Sequence, residues 1–243
     1  MKRDVFFVGW SPRSALPMIW FLGAMLLVLA GASAGLALAL GSAVNDPGGG
    51  DFTGDKVVIG VMVTAPYPVI VTDPSPAFPA GHTVLLSGGG KRGVQDQAAP
   101  LAGQRVRATG AGVKRGEIDM LLVDTLAAEP GNAPVPAERD LGVWRLSGEI
   151  CDGKCVLGVM RPGDGPTHKA CANVCLTGGV PPVFVATSPV QGTRYMLMGD
   201  AKGGRLPDAL RDGTGVIRRY DGSVRTLGDV LVFRADVAAA VGR

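Results

Sequence analysis

No charged residue lies between Arg13 and Asp46. The intervening stretch, SALPMIWFLGAMLLVLAGASAGLALALGSAVN, restricts the chain more than any other part of it. A bilayer core is crossed by about 20 apolar residues in helical form. Lipid offers no partners to backbone N–H and C=O groups, so a helix is the one structure this stretch can adopt there. Pro17 stands near its start, where a missing N–H costs least, and Trp20 is placed to anchor at the interface. Gly41, Ser42 and Ala43 would also suit cleavage of a signal peptide. The apolar run, however, exceeds the usual signal core of roughly 7–15 residues, which favours an uncleaved anchor.

Orientation follows from charge. Lys2, Arg3 and Arg13 precede the run, and the next charges are Asp46, Asp51 and Asp55. The positive-inside rule then leaves residues 1–14 in the cytoplasm, a transmembrane helix over 15–43, and the rest outside, in the periplasm of a bacterial inner-membrane protein. Gly31 and Gly35 form a small-xxx-small pair. It would admit a neighbouring helix, from a membrane-protein partner or a second copy, although so short a pattern also arises by chance in Ala- and Gly-rich anchors.

Beyond a Gly- and Asp-rich tether at 44–56, the pattern changes to short β-branched runs cut by Gly and Pro. Strands are expected within 57–72 and at 83–87, 105–110 and 120–125. After a Pro-rich linker at 128–142, the order recurs in VWRLSGEIC, PPVFVAT, TRYMLMGD, TGVIRRYD and DVLVFRADV. Setting HTVLLSGGGKRGVQDQAAPLAGQRVRATG beside RYMLMGDAKGGRLPDALRDGTGVIRRYDG matches strand, Gly-Lys turn, connector and strand. This internal repeat predicts two five-stranded units, 57–127 and 143–240. Five short strands with a connector between the third and fourth fit an OB-like Greek-key barrel, whose closure hides sheet edges. The expected fold is therefore mainly β: a transmembrane helix followed by two tandem OB-like barrels.

All four cysteines fall between 148 and 184, in GEICDGKCVLGVMRPGDGPTHKACANVCLTGGVPPVF, with one of the two histidines. The order Asp152-x-x-Cys155, then His168, then Cys171-x3-Cys175 and a Gly pair resembles largely uncharacterised exported bacterial OB-like domains that open G-x-I-x-D-x-x-C and continue C-x3-C. The resemblance covers about 143–240 and implies a fold and a compartment, with no activity attached. Cys151 departs from it, standing where such domains carry an apolar residue.

The sulfurs admit three readings. An even count in an oxidising compartment points to two structural disulfides, three connectivities being possible. Two C-x3-C pairs with His168 between them also have metal-ligand spacing: Cys151, Cys155, Cys171 and Cys175, or three of them with His168, would suit Zn or Cu. Thiol–disulfide exchange is the third, with a helix over HKACANVCL putting Cys171 and Cys175 on one face at i, i+4.

Elsewhere, Lys91 and Arg92 in SGGGKRGV offer an anion-binding turn. The P-loop spacing is missing and no helix is expected after it. His82, with no acidic or Cys neighbour in sequence, reads as a plain surface histidine. A net charge of +3 with 5% aromatics gives no footing for nucleic acid. No Ser–His–Asp order, carboxylate pair or haem-attachment motif is present, so the chain reads as non-enzymatic and without an expected cofactor. The leading expectation is a membrane-anchored periplasmic binding or assembly protein, an accessory subunit of a membrane complex. The alternative is a metal-binding or thiol-redox protein working through the Cys/His cluster.

Overall fold

A computed structural model describes residues 16–43, 48–132 and 134–236. The chain divides into two units, Met1–Asp46 and Pro47–Arg243. In the first, helix α1 (Leu16–Ala43) contains Pro17–Ala39, a stretch long and apolar enough to cross a membrane. Gly31 and Gly35 leave a smooth stripe on it, with no atom within 4 Å of where a side chain would begin.

The second unit opens with β1 (Asp51–Val63), β2 (Val69–Thr72), β3 (Thr83–Ser87), a one-turn helix α2 (Gln95–Ala98), β4 (Arg105–Arg115) and β5 (Ile118–Ala128). Strand pairing runs β1-β2-β3-β5-β4 and closes on β1 as a barrel. Only β3 and β5 run parallel; every other neighbour is antiparallel. Two sequence expectations are corrected here. The tether ends earlier than expected, because DFTGD already pairs with β4. A short helix, α2, does follow the Gly-rich turn.

The remaining strands are β6 (Arg139–Asp152), β7 (Pro182–Val190), β8 (Thr193–Asp200), β9 (Arg218–Leu227) and β10 (Val230–Ala235), with helix α3 (Lys169–Thr177) between β6 and β7. They pair in the same cyclic order, β6-β7-β8-β10-β9 and back to β6, again with one parallel pair, β8 with β10. The repeat seen in the sequence thus corresponds strand for strand. One difference sets the second ring apart: the link from β1 to β2 is a tight turn, whereas that from β6 to β7 spans residues 153–181 and carries three of the cysteines.

The two rings share buried surface. In β2 and β3 every residue is buried, and alternation sorts them. Ile70, Val84, Leu86 and Leu121 point into the first barrel with Val58 and Met62. Their neighbours Val69, Val71, Leu85 and Met120 join a cluster with Leu197, Phe184 and Phe233 of the second ring. Strands covered on both faces read as unbroken apolar runs, as VIV and VLL do. Apolar burial at roughly 25 cal/mol per Å² is the force holding the rings together, and directed bonds add to it. Tyr67 accepts from the Leu206 amide at 3.1 Å, and Arg115 donates to the Val156 carbonyl at 3.1 Å.

Candidate metal centre

The D-x-x-C spacing has a local cause. Asp152 ends β6 and is fully buried; its Oδ1 accepts the Cys155 N–H at 2.9 Å, turning the chain back within three residues. Its other oxygen lies 2.8 Å from His168 Nε2. His168 is buried at the end of a short turn, Pro166–His168, that leads directly into α3. Cys171 lies in the first turn of α3, and Cys175 follows one turn later.

These elements bring together the sulfurs of Cys155 and Cys171 and a ring nitrogen of His168, all within 4.8 Å of one another. Among the described residues this is the one such group of three metal-ligand side chains. Zinc–sulfur and zinc–nitrogen bonds of about 2.3 and 2.0 Å place two donors on one ion about 3.5–4 Å apart, so a small contraction would close the group on an ion. With Nε2 engaged by Asp152, Nδ1 is the nitrogen left to ligate, and the carboxylate fixes the ring as in carboxylate–histidine–metal arrangements.

The other two cysteines stand apart. Cys175 is paired with Cys155, whose thiol donates to it. That bond pushes the Cys155 thiol up and holds Cys175 below the ordinary thiol range. Cys151 is buried, and its Sγ donates to Glu149 at 3.2 Å. Burial first, and then the Glu149 charge, push its thiol far up and keep it protonated. The expectation of two disulfides is corrected: Cys151, Cys155, Cys171 and Cys175 are all free thiols. Cys151 belongs to β6 and turns to Glu149, Cys155 and Cys171 gather with His168, and Cys175 adjoins Cys155.

The first barrel supplies two further parts. Lys91, in the turn after β3, donates to Cys171 Sγ at 2.9 Å, and this bond raises the ammonium above its usual range. Lys154 of the second ring is buried and donates to the Gly88 and Gly90 carbonyls, each at 2.7 Å. Desolvation lowers its pKa, against the pull of Cys175, Cys155 and Asp152. The Gly-rich turn therefore accepts the Lys154 ammonium through its carbonyls. Arg92 lies on the surface beside it, lining an open cleft of about 430 Å³ with Gly178.

Contact between this turn and α3 is close. Gly93 N–H bonds the Gly178 carbonyl at 2.9 Å, and a side chain at Gly178 would collide with the Lys91 carbonyl. Gly178→Ala is expected to displace the turn and cost about 1–3 kcal/mol. A urea midpoint for the full chain in detergent checks this; an unchanged midpoint would show that the turn yields freely.

His82 is also corrected. It is buried between the rings, with Nδ1 2.6 Å from Asp229 and Nε2 3.0 Å from Asp119, and it stacks on Phe78. Hydrogen bonds to Asp119 and Asp229 raise it to about 9, so the imidazolium clamps a carboxylate from each ring. Its acidic partners lie 37 and 147 residues away and are invisible to any local reading. Asp152 and Lys154 stand within the D-x-x-C motif, but their burial comes only from the fold.

Compared with known protein families, with curated proteins and with solved structures, the chain matches none.

Proposed function

We propose that this is a single-pass membrane protein whose exported part, a fused pair of OB-type barrels, binds a soft metal ion, zinc or copper, at Cys155, His168 and Cys171. The convergence of these three donors within 4.8 Å carries the reading. Several features support it. The ligands come from two separate stretches of the 153–181 insertion, the histidine is oriented by a buried carboxylate, and free thiols gather where ligands are needed. Thiolate and imidazole together suit Zn(II) and Cu(I) rather than hard cations. The strand order and the parallel β3–β5 and β8–β10 pairs support the OB-type reading. The apolar α1, with basic residues ahead of it and acidic ones after, supports an inner-membrane anchor with the barrels in the periplasm.

The test is metal content and free-thiol count on one sample, the full chain purified in detergent without reductant. About one metal per chain, lost in Cys155→Ser and Cys171→Ser, is expected from the pre-gathered donors. No metal and no free thiols would instead make the segment a disulfide staple for a binding or assembly module.

A further inference from the structure

We propose that this centre is built for the monovalent soft ion Cu(I) in a three-coordinate site of Cys155, Cys171 and His168, and that Lys91 of the first barrel sets this preference over Zn(II). The inference rests on the proposed metal-binding function and names the ion and a specificity-determining residue.

The first argument is ligand number. Three donor atoms converge within 4.8 Å, and Cys175 is not among them. Zn(II) takes four ligands, the fourth being water where the protein supplies three, whereas a soft thiolate set of three completes the shell of Cu(I).

The second argument is charge. Bound thiolates of Cys155 and Cys171 bring two negative charges, and His168 binds as the neutral ring with Nε2–H given to Asp152. Around them stand one anion, Asp152, and two cations: Lys154, buried behind the turn, and Lys91 on the Cys171 sulfur at 2.9 Å. With Cu(I) in place these charges sum to zero. With Zn(II) on the same three ligands a positive charge is left over beside the buried Cys155 and His168, and a fourth ligand is still needed to complete the shell. Repulsion between the Lys91 ammonium and the bound ion also scales with ionic charge, so it is twice as large for Zn(II) as for Cu(I). Lys91 thus penalises the divalent ion while its bond to Cys171 supports the thiolate.

The chemistry could be met differently, by recruiting Cys175 as a third thiolate. That would balance Zn(II) as well, and the two cases separate experimentally. The full chain in detergent would be kept anaerobic. Cu(I) affinity would be read by competition with bathocuproine disulfonate, and Zn(II) affinity with a chromophoric zinc indicator. The wild type should bind one Cu(I), and Cys175→Ser should keep it nearly unchanged. Lys91→Met should shift the Cu(I)-over-Zn(II) ratio about tenfold toward Zn(II), the scale of an outer-shell change, while Lys91→Arg keeps the wild-type ratio. Loss of Cu(I) binding in Cys175→Ser would overturn the three-coordinate site and make Cys175 a ligand of the ion. An equal effect of Lys91→Met on both ions, or none, would overturn the role of Lys91. If Cys155→Ser left both affinities unchanged, the metal-binding function itself would fall, a result distinct from either.

Discussion

Asp152→Ala is expected to destabilise the second ring by about 3–5 kcal/mol and to remove the proposed metal binding at the same time. The carboxylate has no exposed surface and serves three groups at once. It accepts the Cys155 amide, holds His168 through Nε2, and lies near the Lys154 ammonium. Without it, Lys154 stays buried with no carboxylate to offset its charge, the Cys155 turn loses its cap, and the His168 ring is no longer held toward the sulfurs. Leaving one partner of a buried ionic set behind is what makes such a change costly. Asp152→Asn separates the two roles. An amide oxygen can still accept the Cys155 N–H, so much of the stability should return, while metal affinity should stay reduced about 10–100-fold because the histidine has lost its carboxylate. The paired measurement is a urea midpoint and metal per chain. If Asp152→Ala folded normally and kept its metal, the buried carboxylate would have no part in either.

The second large effect is a pH dependence at the seam between the rings. His82 reaches about 9 through its bonds to Asp119 and Asp229. A histidine raised in the folded state contributes stability that is complete below its unfolded value of about 6.5 and vanishes as pH rises through the folded value. The seam is therefore expected to weaken between about pH 6.5 and 9, by roughly 2 kcal/mol; the full shift would give more, but Asp229 is half exposed and its pairing is screened. Burial pushes Asp119 and Asp229 upward, but their hydrogen bonds prevail and hold both below the ordinary carboxylate value. Their contribution is present above about pH 4 and is lost as pH falls further, through the lowered values. His82→Leu should lower the urea midpoint at pH 6 and flatten its fall between pH 6.5 and 9. A mutant that keeps the wild-type pH slope would place the titrating group elsewhere.

Much of the architecture is legible because its causes are local. The uncharged run before Asp46 leaves a helix as its only form in lipid. The helix over HKACANVCL is readable from its residues and appears as α3. The strand at 83–87 matches β3, and the repeat matches β3 with β8 and β4 with β9. The two-sided burial of β2 and β3 is also written in their unbroken apolar runs, yet alone those runs say no more than strand. What fails are readings that assign a group its surroundings from its neighbours in sequence. On that basis His82 belongs on the surface and the four cysteines pair with one another; the fold instead buries His82 between two carboxylates and leaves the four thiols free.

Hydrophobic period, turn residues and backbone constraints act over a few residues, so the helix, the two sets of five strands and the segment that holds the thiols are already specified along the chain. Which side chains meet is settled only in three dimensions. Closing the strands and packing the two rings together brings Lys91 to Cys171 across 80 positions and His82 to Asp229 across 147. Those encounters depend on strand order and on the shared apolar surface, and in a buried setting it is the encounter that sets the charge, the proton and the chemistry of each group.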